Sequence, residues 1–423
     1  MRVLKEYKDS TVARIMHLVE EAGKANAGRK TNMSHFMAKY TVIVIVCVLL
    51  IAIVPPTTFA WNHWNEWIYK ALVFLVAALP CGLLASEPIT FLGGIAAAAR
   101  HGVIVKGGHY LDLLSKANVF IFDKTGTLTE GRFVITEIYS EIMEEKELLK
   151  LAAHAEFYSN HPVAKSLLEA YGEEIDRKLI QSVKESAGLG VTATVAGKKI
   201  HIGNRRMAES QNVDYIYVES AGTVLHVVVD GVYAGYLIAE DKIREDAYSL
   251  MDWFRGHMEG VFVMLTGDRK AAAKKVAYEL DMDYAYAALL PKGKLERLRE
   301  FKELQRENET VVYVGDGIND AMVLAEADVG IAMGALGSDV AIEAADIVLL
   351  ENDITKIIDV IKLAKESVSV IQGNIRLAVF VKIFVLIVAA LGFVGMKEVL
   401  IADLVIMFVA LLNAISIVGY PVE

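Results

Sequence analysis

The sequence predicts an α/β domain of Rossmann type that carries an inserted α+β domain and is attached to about four transmembrane α-helices. Two observations predict this architecture. Long apolar runs lie in both terminal parts of the chain, and three short apolar runs in its middle each end in a loop rich in glycine, threonine and aspartate. Parallel strands buried on both faces are continuously apolar, and ligands of such sheets bind where the strands end.

The composition is that of a membrane protein with a sizeable soluble part. Of 423 residues, 54% are hydrophobic and 23% are charged, which is too apolar for an ordinary soluble protein and too charged for a purely embedded one. The net charge of -10 argues against nucleic acid as a partner. The two cysteines, Cys47 and Cys81, lie in apolar stretches and indicate no disulfide framework. The polar N-terminus does not resemble a cleavable signal peptide.

The first strand-end loop is Asp123-Lys124-Thr125-Gly126-Thr127-Leu128-Thr129, which follows the apolar run from Val119 to Phe122. A carboxylate beside a lysine and several hydroxyl and amide donors is well arranged to attack a phosphoryl group and form an aspartyl-phosphate. An isolated Asp-x-Thr sequence is more often a solvated turn. Here the partners that phosphoryl transfer needs occur downstream.

Two further strands end in acidic loops. The run 261–265 ends in Thr266-Gly267-Asp268, and the run 310–314 ends in Gly315-Asp316-Gly317-Ile318-Asn319-Asp320, with Lys294 between them. Carboxylates suit Mg²⁺, while a hydroxyl and a lysine stabilise charge on a transferring phosphoryl group. Asp320 is expected to orient the Mg²⁺ shell or its own loop. The predicted catalytic residues are Asp123, Lys124, Thr125, Thr266, Gly267, Asp268, Lys294 and Asp320, and the predicted Mg²⁺ ligands are Asp123, Thr125 and Asp316.

The heptapeptide at Asp123 resembles the phosphorylation motif of P-type ATPases, ion pumps that phosphorylate themselves on aspartate. The three strand-end loops together resemble those of haloacid-dehalogenase-like phosphotransferases. The resemblance implies ATP and Mg²⁺ as cofactors, and an integral protein of the plasma (inner) membrane with cytoplasmic catalytic domains. Two residues depart from the family pattern: Arg269 replaces the usual asparagine, and Lys292-Gly293 replaces Glu-Asp before Lys294.

Residues 130–238 are the predicted insertion, between the parts of the phosphorylation domain at 101–129 and 239–365. Its Gly-x-Gly and His-Pro sequences are weak signals alone, since the first is usually a turn and the second a helix start. In their order they resemble the nucleotide-binding domain of heavy-metal pumps. The resemblance implies that adenine and ribose bind among Glu156, His161, Gly188, Gly190, Gly203 and Asn204. Glycine permits close approach of the backbone to a base, and the imidazole of His161 can stack or hydrogen-bond.

Two predicted spans lie within residues 39–100, after a cytoplasmic helix and linker at 1–38. The second span, about 68–99, is interrupted at Leu79-Pro80-Cys81-Gly82 and at Glu87-Pro88. Such breaks are tolerated where they line a site, and ion pumps use them to expose ligands. The alternative is a simple proline kink with a buried thiol.

Two more spans lie within residues 366–423, and each carries an ionisable residue, Lys382 or Asp403. Charges at membrane depth usually face a partner or a pathway, although a purely structural pair is the alternative. The placement resembles the zinc/cadmium/lead branch of heavy-metal pumps. It implies that Cys81 and Asp403 bind a transported divalent metal such as Zn²⁺ or Cd²⁺, with Lys382 as counter-charge. The sequence departs from that branch at Leu79, where the branch carries the first cysteine of Cys-Pro-Cys.

No Thr-Gly-Glu sequence occurs, although the actuator domain of a complete pump uses that loop to position the hydrolytic water. The resemblance therefore implies the C-terminal part of a pump, with a separate N-terminal polypeptide carrying the actuator domain as a candidate partner. The favoured function is ATP-driven export of a divalent heavy metal through an aspartyl-phosphate. The alternatives are a degenerate nucleotide-binding membrane protein that regulates a partner, and a membrane-anchored phosphatase of the same fold.

Overall fold

Apolar helices and two β-sheets make up the computed structural model, which describes residues 32–58, 63–78, 81–159, 161–186, 188–306, 309–316, 320–334, 339–391 and 393–421. The helix predicted at 9–23 lies outside these residues. Contacts divide the chain into two compact units. The helical unit comprises residues up to Ala117, Ala345–Glu351 and the chain from Lys356, and the sheet unit comprises Asn118–Ala344 and Asn352–Thr355.

The helical unit contains the long apolar helices. Numbered in chain order, its elements are α1 (Asn32–Thr58), α2 (Trp64–Ala78), α3 (Cys81–Arg100), β1 (Val103–Val105), α4 (Gly108–Ser115), β13 (Ile347–Leu349), α13 (Lys356–Ala390) and α14 (Met396–Ser416). Among the described residues, three segments are long and apolar enough to cross a membrane: Lys39–Thr58, Lys356–Ala389 and Met396–Gly419. The second predicted span is divided between α2, of 15 residues, and α3, of 20 residues. The predicted number of about four spans is therefore approximate.

Small side chains bring the membrane helices together. Ala77 of α2 and Ala389 of α13 are at most 1% exposed and pack in one apolar cluster with Val73 and Val399. Alanine lets helix backbones approach closely, which supplies the van der Waals contact that holds helices together in lipid. Large apolar side chains instead face outward, as at Val42 and Phe380, which suits a hydrocarbon environment.

A hydrogen-bonded polar cluster also joins three of these helices. The Asn374 side-chain amide on α13 donates to Ser86 Oγ on α3 at 2.7 Å and to the carbonyl of Ala410 on α14 at 3.2 Å. The Asn413 amide donates in turn to Asn374 Oδ1 at 2.9 Å. Because each of these polar groups finds a partner, the cluster fixes the mutual register of the three helices within the apolar bundle.

A parallel sheet forms the centre of the sheet unit. The elements are β2 (Ala117–Asp123), α8 (Glu245–His257), β9 (Val261–Leu265), α9 (Lys270–Glu279), β10 (Tyr284–Tyr286), α10 (Pro291–Glu303), β11 (Thr310–Gly315), α11 (Ala321–Glu326), β12 (Val329–Met333) and α12 (Asp339–Ala344). Five strands of the sheet run in the order β12-β11-β2-β9-β10. Phe120 and Phe262, on neighbouring strands, pack with Phe254 of α8, and all three are fully buried. Asp123 pairs in register with Leu265, so the loops after β2 and β9 leave the sheet at the same edge.

The described part of the insertion contains a six-stranded antiparallel sheet and three α-helices. Its elements are β3 (Thr129–Ser140), α5 (Glu145–Glu156), α6 (Pro162–Tyr171), β4 (Ile180–Ser186), β5 (Gly190–Val195), β6 (Lys198–Gly203), α7 (Arg205–Ser210), β7 (Thr223–Val229) and β8 (Val232–Ile243). The strands run in the order β3-β8-β7-β6-β5-β4. The apolar face of the sheet packs on α5 and α6, with Leu148, Leu167 and Ile202 fully buried. The chain enters the insertion through β3 and leaves it through β8, and Thr129 pairs with Ile243.

Two glycines of this sheet face each other across β5 and β6. Gly190 pairs with Gly203, and Gly190 has φ +140°. A Cβ at Gly203 would lie 2.1 Å from the carbonyl oxygen of Leu189, and a Cβ at Gly190 would lie 2.1 Å from that of Ile202. Close backbone packing therefore requires glycine at both positions.

We expect Gly203→Ala to destabilise the chain by about 2 kcal/mol or more, because a strand backbone must move to admit the methyl group. Gly256→Ala is the matched control. Gly256 lies in α8, and a Cβ added there would meet no atom within 4 Å, so the same substitution should stabilise the helix by about 0.5–1 kcal/mol. Thermal unfolding of the purified chain in detergent measures both, and equal melting temperatures for the two variants would contradict the close approach.

Candidate functional site

Asp123 lies at the end of β2 with only 6% of its surface exposed. Lys294 of α10 donates to Asp123 Oδ1 at 2.7 Å and to Asp320 Oδ1 at 2.8 Å. Asp320 immediately precedes α11 and is 1% exposed. The structure thus brings together three residues that lie far apart in the chain, and one ammonium group links two buried carboxylates.

Asp320 raises the pKa of the two other acids of this site, Asp123 and Asp316. Burial and the neighbouring Asp320 raise the pKa of Asp123 to about 7, against the opposing effect of Lys294. Burial and Asp320 likewise raise the pKa of Asp316 to about 6. For Lys294, burial alone would lower the pKa, but Asp123 and Asp320 raise it. One lysine therefore does not balance the negative charge of this cluster, and further positive charge would be bound favourably.

The residues present fit a Mg²⁺ ion. Asp123, Asp316 and Asp320 can each offer an oxygen within 4.8 Å of the others, and carboxylate oxygens are the ligands that this hard cation prefers. Gly126, at φ +77°, passes so close to Asp316 that a Cβ there would lie 1.9 Å from Asp316 Oδ2. The loop after β2 consequently needs glycine at this position to leave room for the second acidic loop.

Lys124 and the loop after β9 form a separate ion-pair group. The Lys124 ammonium lies 2.5 Å from Asp268 Oδ2 and 3.3 Å from Asp241 Oδ2. The hydroxyl of Thr129 donates to Asp241 Oδ2 at 2.6 Å. The hydroxyl of Thr266, which is 1% exposed, accepts the backbone N–H of Asp268 at 3.1 Å. Asp268 is thereby oriented toward Lys124 rather than toward Lys294.

A cavity of about 680 Å³ opens beside this ion-pair group. It is lined by the loops after β2 and β9, including Thr125 and Gly267, and by β3, β8 and the turn around Gly222 in the insertion. Arg269 Nη2 donates to the carbonyl of Gly222 at 2.9 Å and so joins the two sides. The volume is that of a small-ligand site. Of the described residues along it, none is among the six predicted to bind adenine and ribose.

Those six residues lie in two groups within the insertion. Asn204 caps α7, and its side-chain amide donates to the carbonyl of Gly188 at 2.8 Å, beside the paired Gly190 and Gly203. In the other group, Glu156 ends α5 and His161 caps α6, where its Nδ1 accepts the N–H of Val163. Glu185 of β4 acts electrostatically on Glu156 and helps to raise its pKa, and the next residue of that strand, Ser186, pairs with Gly190.

Within the helical unit, Lys382 and Asp403 form an ion pair. Lys382 Nζ donates to Asp403 Oδ1 at 2.5 Å and to the carbonyl of Ala77 at 2.8 Å. Both side chains are at most 15% exposed. Cys81 is the first residue of α3, and its side chain lies outside the described part of the chain. The predicted pairing of a lysine on one helix with an aspartate on the next is therefore a direct contact.

Comparison with known proteins places the chain in a family. A family model for haloacid dehalogenase-like hydrolases matches residues 117–328. The chain is 40% identical over 418 residues to the cadmium, zinc and cobalt-transporting ATPase of Bacillus subtilis, a match that covers 99% of this chain and 60% of that protein. It is 38% identical over 419 residues to the zinc-transporting ATPase of Synechocystis, covering 99% and 58% respectively.

A crystal structure of a zinc-transporting PIB-type ATPase in the E2.Pi state has a TM-score of 0.83 to this chain at 33% identity. That match covers 99% of this chain and 69% of the other. The chain belongs to the zinc- and cadmium-transporting branch of the P-type ATPases. It spans about three fifths of the length of the curated relatives it matches, 60% and 58% for the two bacterial proteins above. Membrane helices and a haloacid-dehalogenase-like phosphorylation domain, both predicted from sequence, are confirmed for this P-type ATPase chain.

Two contacts of this P-type ATPase chain carry no signal in the sequence. Asp241 lies in the return strand β8, with no glycine or hydroxyl motif around it, and its pairing with Lys124 depends on the antiparallel pairing of β3 with β8. Arg269 is noticeable only as a departure from the family pattern, and its contact with Gly222 joins positions 47 residues apart. Both contacts arise from tertiary packing, which local motifs do not encode.

Glu156 provides a pH-dependent test of the insertion. Burial raises its pKa from 4.5 to about 7, with Ser159 opposing the shift and Glu185 adding to it. Between these two pH values the folded state binds more protons than the unfolded state, so stability is full below pH 4.5 and falls until the pH passes about 7. We therefore expect Glu156→Gln to raise the free energy of unfolding at pH 8 by up to about 3 kcal/mol, which is measured as a higher melting temperature. At pH 5 the substitution should have little effect.

Glu174→Gln is the control for this measurement, since Glu174 is exposed in the loop after α6. Its melting temperature should follow that of the wild type at both pH values. A Glu156→Gln variant whose stability changes equally at pH 5 and pH 8 would contradict a buried, proton-binding carboxyl group.

Proposed function

We propose that this chain transfers the γ-phosphoryl group of ATP to Asp123 and couples that step to export of a divalent heavy-metal cation such as Zn²⁺ or Cd²⁺. The observation that carries the proposal is the position of Asp123, held at 2.7 Å by Lys294 at the end of a parallel sheet. The relatives that are named as transporters of zinc, cadmium and cobalt support the choice of cation.

Asp123 is the nucleophile of the proposed reaction. Its carboxylate oxygen attacks the γ-phosphorus, the bond from that phosphorus to the β,γ-bridging oxygen breaks, and ADP leaves with the electron pair. The Lys294 ammonium favours the ionised form of Asp123 and lies where it can stabilise charge on the transferring group. Asp123, Asp316 and the backbone at Thr125 would hold Mg²⁺, which supplies positive charge to the phosphoryl oxygens.

The cavity beside Lys124 and Arg269 is the proposed path of the triphosphate. Lys124, Lys242, Arg269 and Lys275 line it, and they supply cationic groups suited to phosphate oxygens. We assign adenine and ribose to the insertion, at Glu156, His161, Gly188, Gly190, Gly203 and Asn204. In this arrangement the insertion holds the base while Asp123 at the edge of the parallel sheet receives the phosphoryl group, and Arg269, in the loop after β9, bonds to Gly222 of the insertion.

The transported cation is proposed to bind beside Asp403. A carboxylate buried among apolar helices is costly unless a cation accompanies it. In the structure that cation is the ammonium of Lys382. A divalent metal would bind Asp403 and Cys81, with Lys382 as the counter-charge when the metal is absent.

The first prediction from this proposal concerns Asp123. Incubation of the purified chain with ³²P-labelled ATP and Mg²⁺ should give acid-stable, hydroxylamine-sensitive label that increases with Zn²⁺. Asp123→Asn should abolish the label, because the amide is not a nucleophile toward phosphorus. Asp252→Asn, an exposed position in α8, is the matched control and should be labelled like the wild type. Equal labelling of the Asp123→Asn variant would overturn the assignment, and zinc-independent release of phosphate from small phosphoesters would favour a phosphatase.

The second prediction concerns the metal site. Asp403→Asn should raise the Zn²⁺ concentration needed for half-maximal phosphorylation at least about tenfold, equivalent to about 1.4 kcal/mol, while the ATP requirement stays unchanged. Glu398→Gln is the control on the same helix, because Glu398 accepts the N–H of Gly395 at the start of α14 rather than facing Lys382. An unchanged zinc requirement in Asp403→Asn would contradict a role as metal ligand.

A further inference from the structure

The last turn of α2 presents two buried carbonyl groups to the neighbouring helices. Ala77 and Ala78 are the final residues of α2 and are 0% and 2% exposed. The last four carbonyls of an α-helix have no acceptor role within that helix. In hydrocarbon an unsatisfied carbonyl is costly, so each needs a partner from elsewhere.

Two different helices supply those partners. The hydroxyl of Tyr40 on α1 donates to the carbonyl of Ala78 at 2.7 Å. The ammonium of Lys382 on α13 donates to the carbonyl of Ala77 at 2.8 Å and to Asp403 on α14 at 2.5 Å. Two helices, α1 and α13, therefore bond directly to adjacent carbonyl oxygens at the end of α2, and a third, α14, joins them through Asp403 and Lys382.

The donor set at this point suits a cation. The Lys382 ammonium contacts one carbonyl oxygen, that of Ala77, and one carboxylate, that of Asp403, and the carbonyl of Ala78 is the next along the chain. Oxygen donors of this kind bind divalent cations of hard to intermediate character. Lys382 is a charged substitute for a metal ion, whereas the neutral Tyr40 hydroxyl satisfies the Ala78 carbonyl. The sequence places Leu79 next to these carbonyls, so residue 79 contributes no side-chain ligand and the backbone oxygens become the available donors.

We propose that the carbonyl oxygens of Ala77 and Ala78 are ligands of the transported cation, and that Tyr40 is a positioning residue that caps Ala78 while the cation is absent. Cation binding exchanges the hydrogen bond from Tyr40 for a bond from Ala78 to the metal. This inference rests on the proposed function, since it takes the cation site beside Asp403 as given. It adds two ligands and a competing side chain to that site.

The competition fixes the sign of the expected effect. Tyr40→Phe removes one oxygen atom and leaves the ring in place. The cation-free state then loses the bond to Ala78, while the cation-bound state, in which that bond is already broken, loses nothing. The variant should consequently bind Zn²⁺ more tightly, with a dissociation constant lowered about tenfold.

The test is equilibrium Zn²⁺ binding by the purified full chain in detergent, with a fluorescent zinc chelator as competitor. Tyr69→Phe is the matched control, because the Tyr69 hydroxyl accepts the N–H of Met396 at 3.3 Å, a comparable contact between α2 and α14. That variant should bind Zn²⁺ like the wild type. Melting temperatures of both variants are measured in parallel, since a purely structural role for Tyr40 would lower the melting temperature without changing the dissociation constant.

The outcomes separate this inference from the function on which it rests. A dissociation constant that falls in Tyr40→Phe and not in Tyr69→Phe supports it. A constant that is unchanged or higher in Tyr40→Phe, with binding intact in the wild type, overturns the inference and leaves the proposed function standing. A wild-type chain that binds no Zn²⁺ contradicts both.

Discussion

The ion pairs of Lys294 are the interaction on which the phosphorylation site depends. Three carboxylates occupy the ends of buried strands, and removing charged groups from water costs several kcal/mol for each unless they are paired. Lys294 bonds directly to Asp123 and Asp320. The positive charge of Lys294 offsets only part of the negative charge of the three acids. The site is therefore electrostatically suited to a further cation in addition to the Lys294 ammonium.

The same principle operates in the helical unit with a single acid and a single lysine. Lys382 and Asp403 neutralise each other, and the second hydrogen bond of the ammonium goes to a helix-end carbonyl rather than to water. In both places a lysine of the chain lies where positive charge is required. The two sites differ in net charge: the acids around Lys294 outnumber the one lysine, whereas Lys382 and Asp403 are one charge of each sign.

Much of the phosphorylation site could be predicted from sequence because its geometry is local to strand ends. Asp123 and Thr266 each follow an apolar run, and parallel strands that pair in register must bring those positions to one edge. Lys382 and Asp403 were predictable because a charge within an apolar run is rare. The pairing of Gly190 with Gly203 shows the limit of such reasoning. The sequence predicts that these glycines admit a ligand, and in the structure each lies against the backbone of the neighbouring strand.

The contacts that sequence did not predict join positions with no shared pattern. Tyr40 bonds to a carbonyl 38 residues away, and a carbonyl has no residue type to recognise. Asp241 reaches Lys124 across 117 positions because two long strands pair antiparallel. Pro80 predicts the break between α2 and α3, but the sequence does not predict that Tyr40 and Lys382 bond to the carbonyls at the end of α2.

The paired strands β3 and β8 have a consequence for how this architecture tolerates change. Thr129 and Ile243, the first and last residues of the two strands, are register partners, so the polypeptide leaves and re-enters the phosphorylation domain at a single point. The residues between Thr129 and Ile243 are therefore attached to the phosphorylation domain by two adjacent antiparallel strands. Lengthening, shortening or exchanging that material leaves the ends where they are and leaves the parallel strands undisturbed. The inserted domain and the phosphorylation domain can thus diversify separately while sharing one continuous chain.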